Sequence, residues 1–154
     1  MDSGGSVPAA EARRKRNVVD RAGLGLDHAG MDHSPGFLTV VNEAKQHVEE
    51  VSVAEARARL GNHPQIVLMD VREDHEWQKG HAAEAVHLGR GILERDLEKL
   101  HPDKNTEIIM YCGGGFRSAL AADAAQRMGY RKVFSLAGGY KAMVMAGWPM
   151  KHGD

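Results

Sequence analysis

Cys112 is the chain's one cysteine, and the segment around it, Tyr111-Cys112-Gly113-Gly114-Gly115-Phe116-Arg117-Ser118, has the residue types needed to hold and activate a thiol. An apolar run, Ile108-Ile109-Met110-Tyr111, reads as a short strand before it, and a helical pattern runs from about Ser118 to Met128 after it. Strand, tight loop and helix N-terminus in succession make an anion cradle, because successive backbone N–H groups point inward and the helix dipole adds positive potential. A cysteine there is expected to react as the thiolate, the form that such positive surroundings favour. Three glycines let a ligand touch the backbone amides without meeting a Cβ, and Arg117 adds a cation with a planar fork of donors, expected to orient an anionic substrate. Cys112 is the candidate nucleophile, and Gly113, Gly114, Gly115, Phe116, Arg117 and Ser118 are the candidate substrate-binding residues. The plainer reading makes Cys112 a packed filler and the glycines a turn, but it leaves the coincidence of cysteine, glycine run, arginine and helix start unexplained.

The elements that must position this loop follow from periodicity. Phe37, Val40, Val41, Ala44 and Val48 fall on one face of a leading amphipathic helix over residues 37–48. A short extended segment around Glu50-Val51 precedes Ser52-Val53-Ala54-Glu55, which has capping-box spacing and opens a helix to about Leu60, stopped by Gly61 and Pro64. Ile66-Val67-Leu68-Met69 suits a central strand buried on both faces, and Val86-His87-Leu88 and Val133-Phe134-Ser135 are further short strands. Helical patterns cover about Asp74 to Gln78, Leu93 to Leu100, and Gly139 to Ala146, and Gly129 closes the helix that follows the cysteine loop. Strands alternating with helices imply an α/β fold with a mostly parallel sheet covered on both faces, and ligands bind beyond the carboxyl ends of such strands. The small residues Ala119, Ala121, Ala122, Ala124 and Ala125 would let the helix after Cys112 dock closely on that sheet. Asp70, at the end of its strand, is expected to pair with Arg72 or with loop backbone and brace the site.

Composition bounds the rest. The chain has 154 residues, enough for one domain with an appendage. We expect a disordered N-terminal extension over 1–36, the leading helix over 37–48, a catalytic domain over 49–150 and a short tail over 151–154. Twenty Lys and Arg against 21 Asp and Glu give a formal charge of −1, so no long-range field selects nucleic acid or an anionic membrane. The basic run Arg13-Arg14-Lys15-Arg16 reads as a solvated stretch, and no apolar segment follows it as a secretory signal would require. No run approaches the ~20 apolar residues of a membrane span, so a cytoplasmic location is expected. One cysteine excludes an intramolecular disulfide and a Cys-rich zinc site. His81 and His87 lack metal-ligand spacing, and Met143, Met145 and Met150 read as packing, so no metal and no cofactor are expected.

From about Val51 to Met150 the chain resembles a single rhodanese domain. Asp70-Val71-Arg72-Glu73, Glu76-Trp77 and Gly80-His81 match that family's first signature, and Val86-His87-Leu88 the strand after it. Cys112 to Ser118 match its active loop, and Leu136-Ala137-Gly138-Gly139-Tyr140 with Ala146-Gly147-Trp148-Pro149 its closing segment. The resemblance implies a five-stranded, mostly parallel sheet flanked by helices and a ping-pong sulfur transfer through a Cys112 persulfide. It implies a donor such as thiosulfate, and cyanide, a thiol or a protein as sulfur acceptor. In place of the small apolar or proline-containing pair that often follows the family's Gly-His stands Ala82-Ala83-Glu84-Ala85, and the loop matches neither the thiosulfate-preferring nor the mercaptopyruvate-using pattern. Two alternatives remain: a rhodanese-like phosphatase or arsenate reductase, whose loop is one residue longer, and a binding module with the fold but no turnover. Only four residues separate Cys112 from Arg117, and such non-catalytic modules often lack the cysteine.

Overall fold

In a computed structural model, residues 33–153 are described, and the chain divides into two units, 1–39 and 40–154. The extension expected over 1–36 lies outside the described residues up to 32. Pro35, pre-set for the first helical position, begins helix α1 (Pro35–Lys45), two residues ahead of expectation. The helix also ends three residues early: Gln46 and His47 donate to the carbonyls of Glu43 and Ala44, tightening its last turn. Val41 and Ala44 face inward as the periodicity predicts, whereas Val40 is 47% exposed.

Strand β1 (Glu49–Val51) leads into helix α2 (Val53–Asn62) through the predicted capping box: Glu55 N–H donates to Ser52 Oγ at 3.1 Å, and Ser52 N–H to Glu55 Oε1 at 2.9 Å. The helix runs through Gly61, because a glycine only weakens a helix that is otherwise packed; the chain leaves it at His63, just before Pro64. Then follow β2 (Val67–Asp70), α3 (Asp74–Lys79), β3 (His81–Ala82), β4 (Val86–His87), a 3₁₀ turn (Arg90–Ile92) and α4 (Leu93–Leu100). Strand β5 (Glu107–Tyr111), α5 (Arg117–Arg127), β6 (Lys132–Leu136), α6 (Gly139–Met145) and β7 (Met150–Lys151) complete the order.

Five strands form one sheet in the order β1-β6-β5-β2-β4, each neighbouring pair parallel. Side chains alternate between its faces. Met69, Ile108, Met110 and Val133 pack with Leu93 and Leu97 of α4 and the alanines of α5. Leu68, Ile109, Tyr111 and Leu136 pack on the other face with Ala56 of α2, Met143 of α6 and Trp148. Burial on both sides is why the central strands read as continuous apolar runs. No helix among the described residues is long and apolar enough to cross a membrane.

The antiparallel pair β3 and β7 was not anticipated. His81 faces Lys151 and Ala82 faces Met150, so Lys151 belongs to a strand where a tail over 151–154 was expected. Two-residue strands carry no periodicity to read.

Beyond the ends of β2 and β5 a buried polar network ties several segments together. The Arg72 guanidinium donates from Nε and Nη2 to both Asp70 oxygens at 2.8–3.1 Å, and from Nη2 to the Gly80 carbonyl at 2.7 Å. The same guanidinium lies 4.2 Å from the Tyr140 ring centroid. Tyr111 accepts from Ala82 N–H at 3.0 Å, and burial, then the Asp70 charge, push its phenol well above the usual range. Asp70 and Arg72 thus pair as expected. Removing the negative partner leaves a buried guanidinium without compensation, so Asp70→Asn is expected to lower unfolding free energy by about 3–5 kcal/mol in urea titrations. A loss below about 1 kcal/mol would mean that the network does not hold the fold.

Candidate active site

Cys112 follows directly on the last residue of the central strand β5 and is 1% exposed. Its loop is fixed from two sides. On one side, the first amides of α6 reach across: Tyr140 N–H donates to the Cys112 carbonyl at 2.7 Å and Lys141 N–H to the Gly113 carbonyl at 3.2 Å. This approach needs glycine at 139, where φ is +55° and a Cβ would stand 2.5 Å from the Cys112 carbonyl oxygen.

On the other side, α5 begins at Arg117, one residue earlier than its pattern suggested. The Ser118 amide is therefore among the first-turn N–H groups that no intrahelical carbonyl satisfies, and it points at the sulfur. Ser118 N–H lies 3.3 Å from Cys112 Sγ, Gly115 N–H donates to the same atom at 3.2 Å, and Ser118 Oγ stands 3.4 Å from it. Gly115 reaches this geometry at φ +98°, with the Gly138 amide only 3.2 Å from where its Cβ would be. Two backbone donors and one hydroxyl therefore converge on the Cys112 sulfur. Ala119, Ala121, Ala122, Ala124 and Ala125 are all buried, so the helix carrying the Ser118 amide lies close against the sheet.

Arg117 takes a place that its sequence position did not reveal. Its Nη1 and Nη2 donate to Glu76 Oε1 and Oε2 at 2.8 and 3.0 Å, a bidentate pair linking the loop to α3. The Arg117 hydrogen bonds, working against partial burial, hold the Glu76 carboxyl down to about 2. Glu76 Oε1 also accepts from Glu73 N–H at 3.0 Å, as the third-position residue of a capping box. Glu76 stood in the sequence as part of a signature without a role. Its capping spacing was readable, but nothing local linked it to an arginine 41 positions away.

Phe116 is half-buried, with Lys45 Nζ 4.8 Å from its ring centroid. Gly113 sits under the Arg117 fork, where a Cβ would stand 3.2 Å from Nη2. Gly114 lies between them on the loop. His81 and His87 stack on the Trp77 ring at 3.4 and 4.8 Å. Each also bonds a carbonyl: His81 Nδ1 that of Trp77, and His87 Nε2 that of Arg72. Ser135 on β6, which the sequence reading treated only as part of a strand, is fully buried with its Oγ 2.8 Å from Ser118 Oγ.

The chain is similar to several known proteins. A candidate sulfur carrier protein of Bacillus subtilis, YrkF, is 28% identical over 100 residues, covering 65% of this chain and 53% of its own. The thiosulfate sulfurtransferase GlpE of Coxiella burnetii is 34% identical over 76 residues, 49% of this chain and 69% of its own. A solved structure from Rhodopseudomonas palustris, described as a possible tyrosine phosphatase, superposes with a TM-score of 0.69 at 28% identity, covering 79% of this chain and 98% of that one. The chain spans about half the length of the first of these relatives. The family model for the rhodanese-like domain matches residues 52–146, well over half of the sequence and every element from α2 to α6. The chain belongs to the rhodanese-like domain family.

Proposed function

We propose that this protein is a sulfurtransferase that carries sulfane sulfur on Cys112. The observation that carries the reading is the convergence of the Gly115 and Ser118 amides on Sγ. With thiosulfate as donor, the Cys112 thiolate attacks the outer sulfur, the S–S bond breaks, and sulfite leaves with the electron pair. Cyanide or a thiolate then attacks the outer sulfur of the persulfide, and Cys112 departs as the thiolate. Charge balances in both halves without an oxidant or a metal. A small sulfur donor and a thiol, cyanide or protein acceptor are thus the partners we assign, and a free thiol of this kind suits the reducing cytoplasm.

Arg117 enters this reading as a positioning residue. With both arms of its fork on Glu76, it clamps the loop against α3, and the charge it brings is largely neutralised. That pairing also weakens the phosphatase alternative, in which the loop arginine must grip phosphoryl oxygens.

Incubation with thiosulfate is expected to add the mass of one sulfur atom to the intact protein, removed by cyanide. Cys112→Ser should neither gain that mass nor turn over, and turnover by that variant would overturn the assignment.

For the clamp, Arg117→Ala is expected to lower kcat/KM by roughly ten- to a hundredfold, the equivalent of losing charged hydrogen bonds of about 1.5–3 kcal/mol. The loss should be the same with thiosulfate and with an uncharged organic trisulfide. A defect confined to thiosulfate would make Arg117 a donor-binding group instead.

The same pair predicts a pH dependence. Since the folded-state carboxyl of Glu76 is depressed from 4.5 to about 2, its stabilisation is complete above pH 4.5 and fades as pH falls toward 2. Glu76→Gln should therefore unfold more easily than the parent at pH 7. That difference, followed by denaturant titration, should shrink between pH 4.5 and 2. A constant difference across that range would contradict the pairing.

A further inference from the structure

Besides the two amides, a chain of two hydroxyls leads away from the sulfur. Ser118 Oγ is 3.4 Å from Cys112 Sγ, and Ser135 Oγ is 2.8 Å from Ser118 Oγ. Both serines are fully buried, one in the first turn of α5 and the other on β6. Around them the contact between α5 and the sheet is built of alanine and aliphatic side chains, where a hydroxyl costs desolvation and adds nothing to packing that alanine would not. A two-serine chain in such a place calls for a use.

The protons define one. A hydroxyl has a single hydrogen to donate, so the chain must run in one direction. When Cys112 is a thiol, its S–H can donate to Ser118 and Ser118 to Ser135. Once the sulfur carries negative charge it can only accept. Ser118 then turns its hydrogen to Sγ, and Ser135 donates to the lone pair that Ser118 has exposed. A donor hydroxyl that itself accepts a hydrogen bond is polarised and binds an anion more strongly, most of all in a buried, low-dielectric setting.

We propose that Ser135 is a positioning residue for sulfur transfer, acting through Ser118: it fixes the Ser118 hydroxyl as a donor to Cys112 whenever the sulfur is anionic. The inference rests on the sulfurtransferase reading, in which Cys112 is anionic twice per cycle. It is the nucleophile that breaks the donor S–S bond, and it is the leaving group when the persulfide S–S bond breaks and the electron pair returns to Sγ. The Gly115 and Ser118 amides supply fixed donors in both steps, whereas the serine chain supplies a donor that reverses as the proton leaves. Ser135 never touches the sulfur, so its whole effect is transmitted through one neighbouring hydroxyl.

The test follows the rate of Cys112 alkylation by iodoacetamide against pH, beside turnover, in the full-length protein. Ser135→Ala is expected to move the alkylation midpoint upward by roughly half to one pH unit, the size of one net hydrogen bond, and to lower kcat about three- to tenfold with little change in the KM for thiosulfate. Ser135→Thr, which keeps the hydroxyl, should restore both. Ser118→Ala should have a larger effect, and adding Ser135→Ala to it should change nothing more, because the path through Ser118 is already cut. An unmoved midpoint in Ser135→Ala, or an equal further loss in the Ser118→Ala background, would overturn the proposal. These failures differ from failure of the sulfurtransferase reading itself, in which the parent protein would take up no sulfur from thiosulfate.

Discussion

Everything at this site depends on where α5 begins. Because the helix starts at Arg117, the Ser118 amide remains unsatisfied within the helix and is aimed at Cys112 Sγ, and the turn before it brings the Gly115 amide to the same atom. Starting the helix one residue later would leave a different amide facing the sulfur. The alanine face of α5 packs that start against the central strands, and the parallel order β6-β5-β2 puts the end of β5 in the middle of the sheet. The surroundings of Cys112 Sγ are thus set by backbone placement first and by side chains second.

The remaining polar groups serve that placement. Glu76 holds Arg117, the Tyr140 and Lys141 amides hold the Cys112 and Gly113 carbonyls, and the Asp70–Arg72 pair ties β2 to Gly80 and to the face of Tyr140. The loop is gripped at both ends by elements distant in sequence. In the sulfur-transfer reading proposed above, that arrangement would supply preorganised donors to a sulfur whose charge changes, without the loop having to reorganise.

Much of this was legible in the sequence where the information is local. The Ser52-Glu55 capping box, the apolar runs of β2 and β5, and the alanine face of α5 state their structure within a few residues. The cysteine loop was legible for the same reason, since its strand, glycines and helix start are contiguous. What remained hidden was pairing across distance. Arg117 read as a cation that orients an anionic substrate because its partner Glu76 comes from α3, and Ser135 read as a strand residue because only the docking of α5 on β6 brings Ser118 to it. The pair β3 and β7 is too short for any pattern, and Val40 obeyed helical spacing yet faces outward because the buried stripe of α1 is narrower than its apolar one.

If Cys112 is the sulfur carrier proposed above, its loop receives the sulfur atom without rearranging. A crystal structure of the protein after reaction with a sulfane donor tests it most directly. The expected result is one additional atom about 2.05 Å from Cys112 Sγ, with the backbone from Gly113 to Ser118 and the Arg117–Glu76 pair in place. Sulfur bound elsewhere, or a loop whose Gly115 and Ser118 amides have turned away from Cys112, would contradict it.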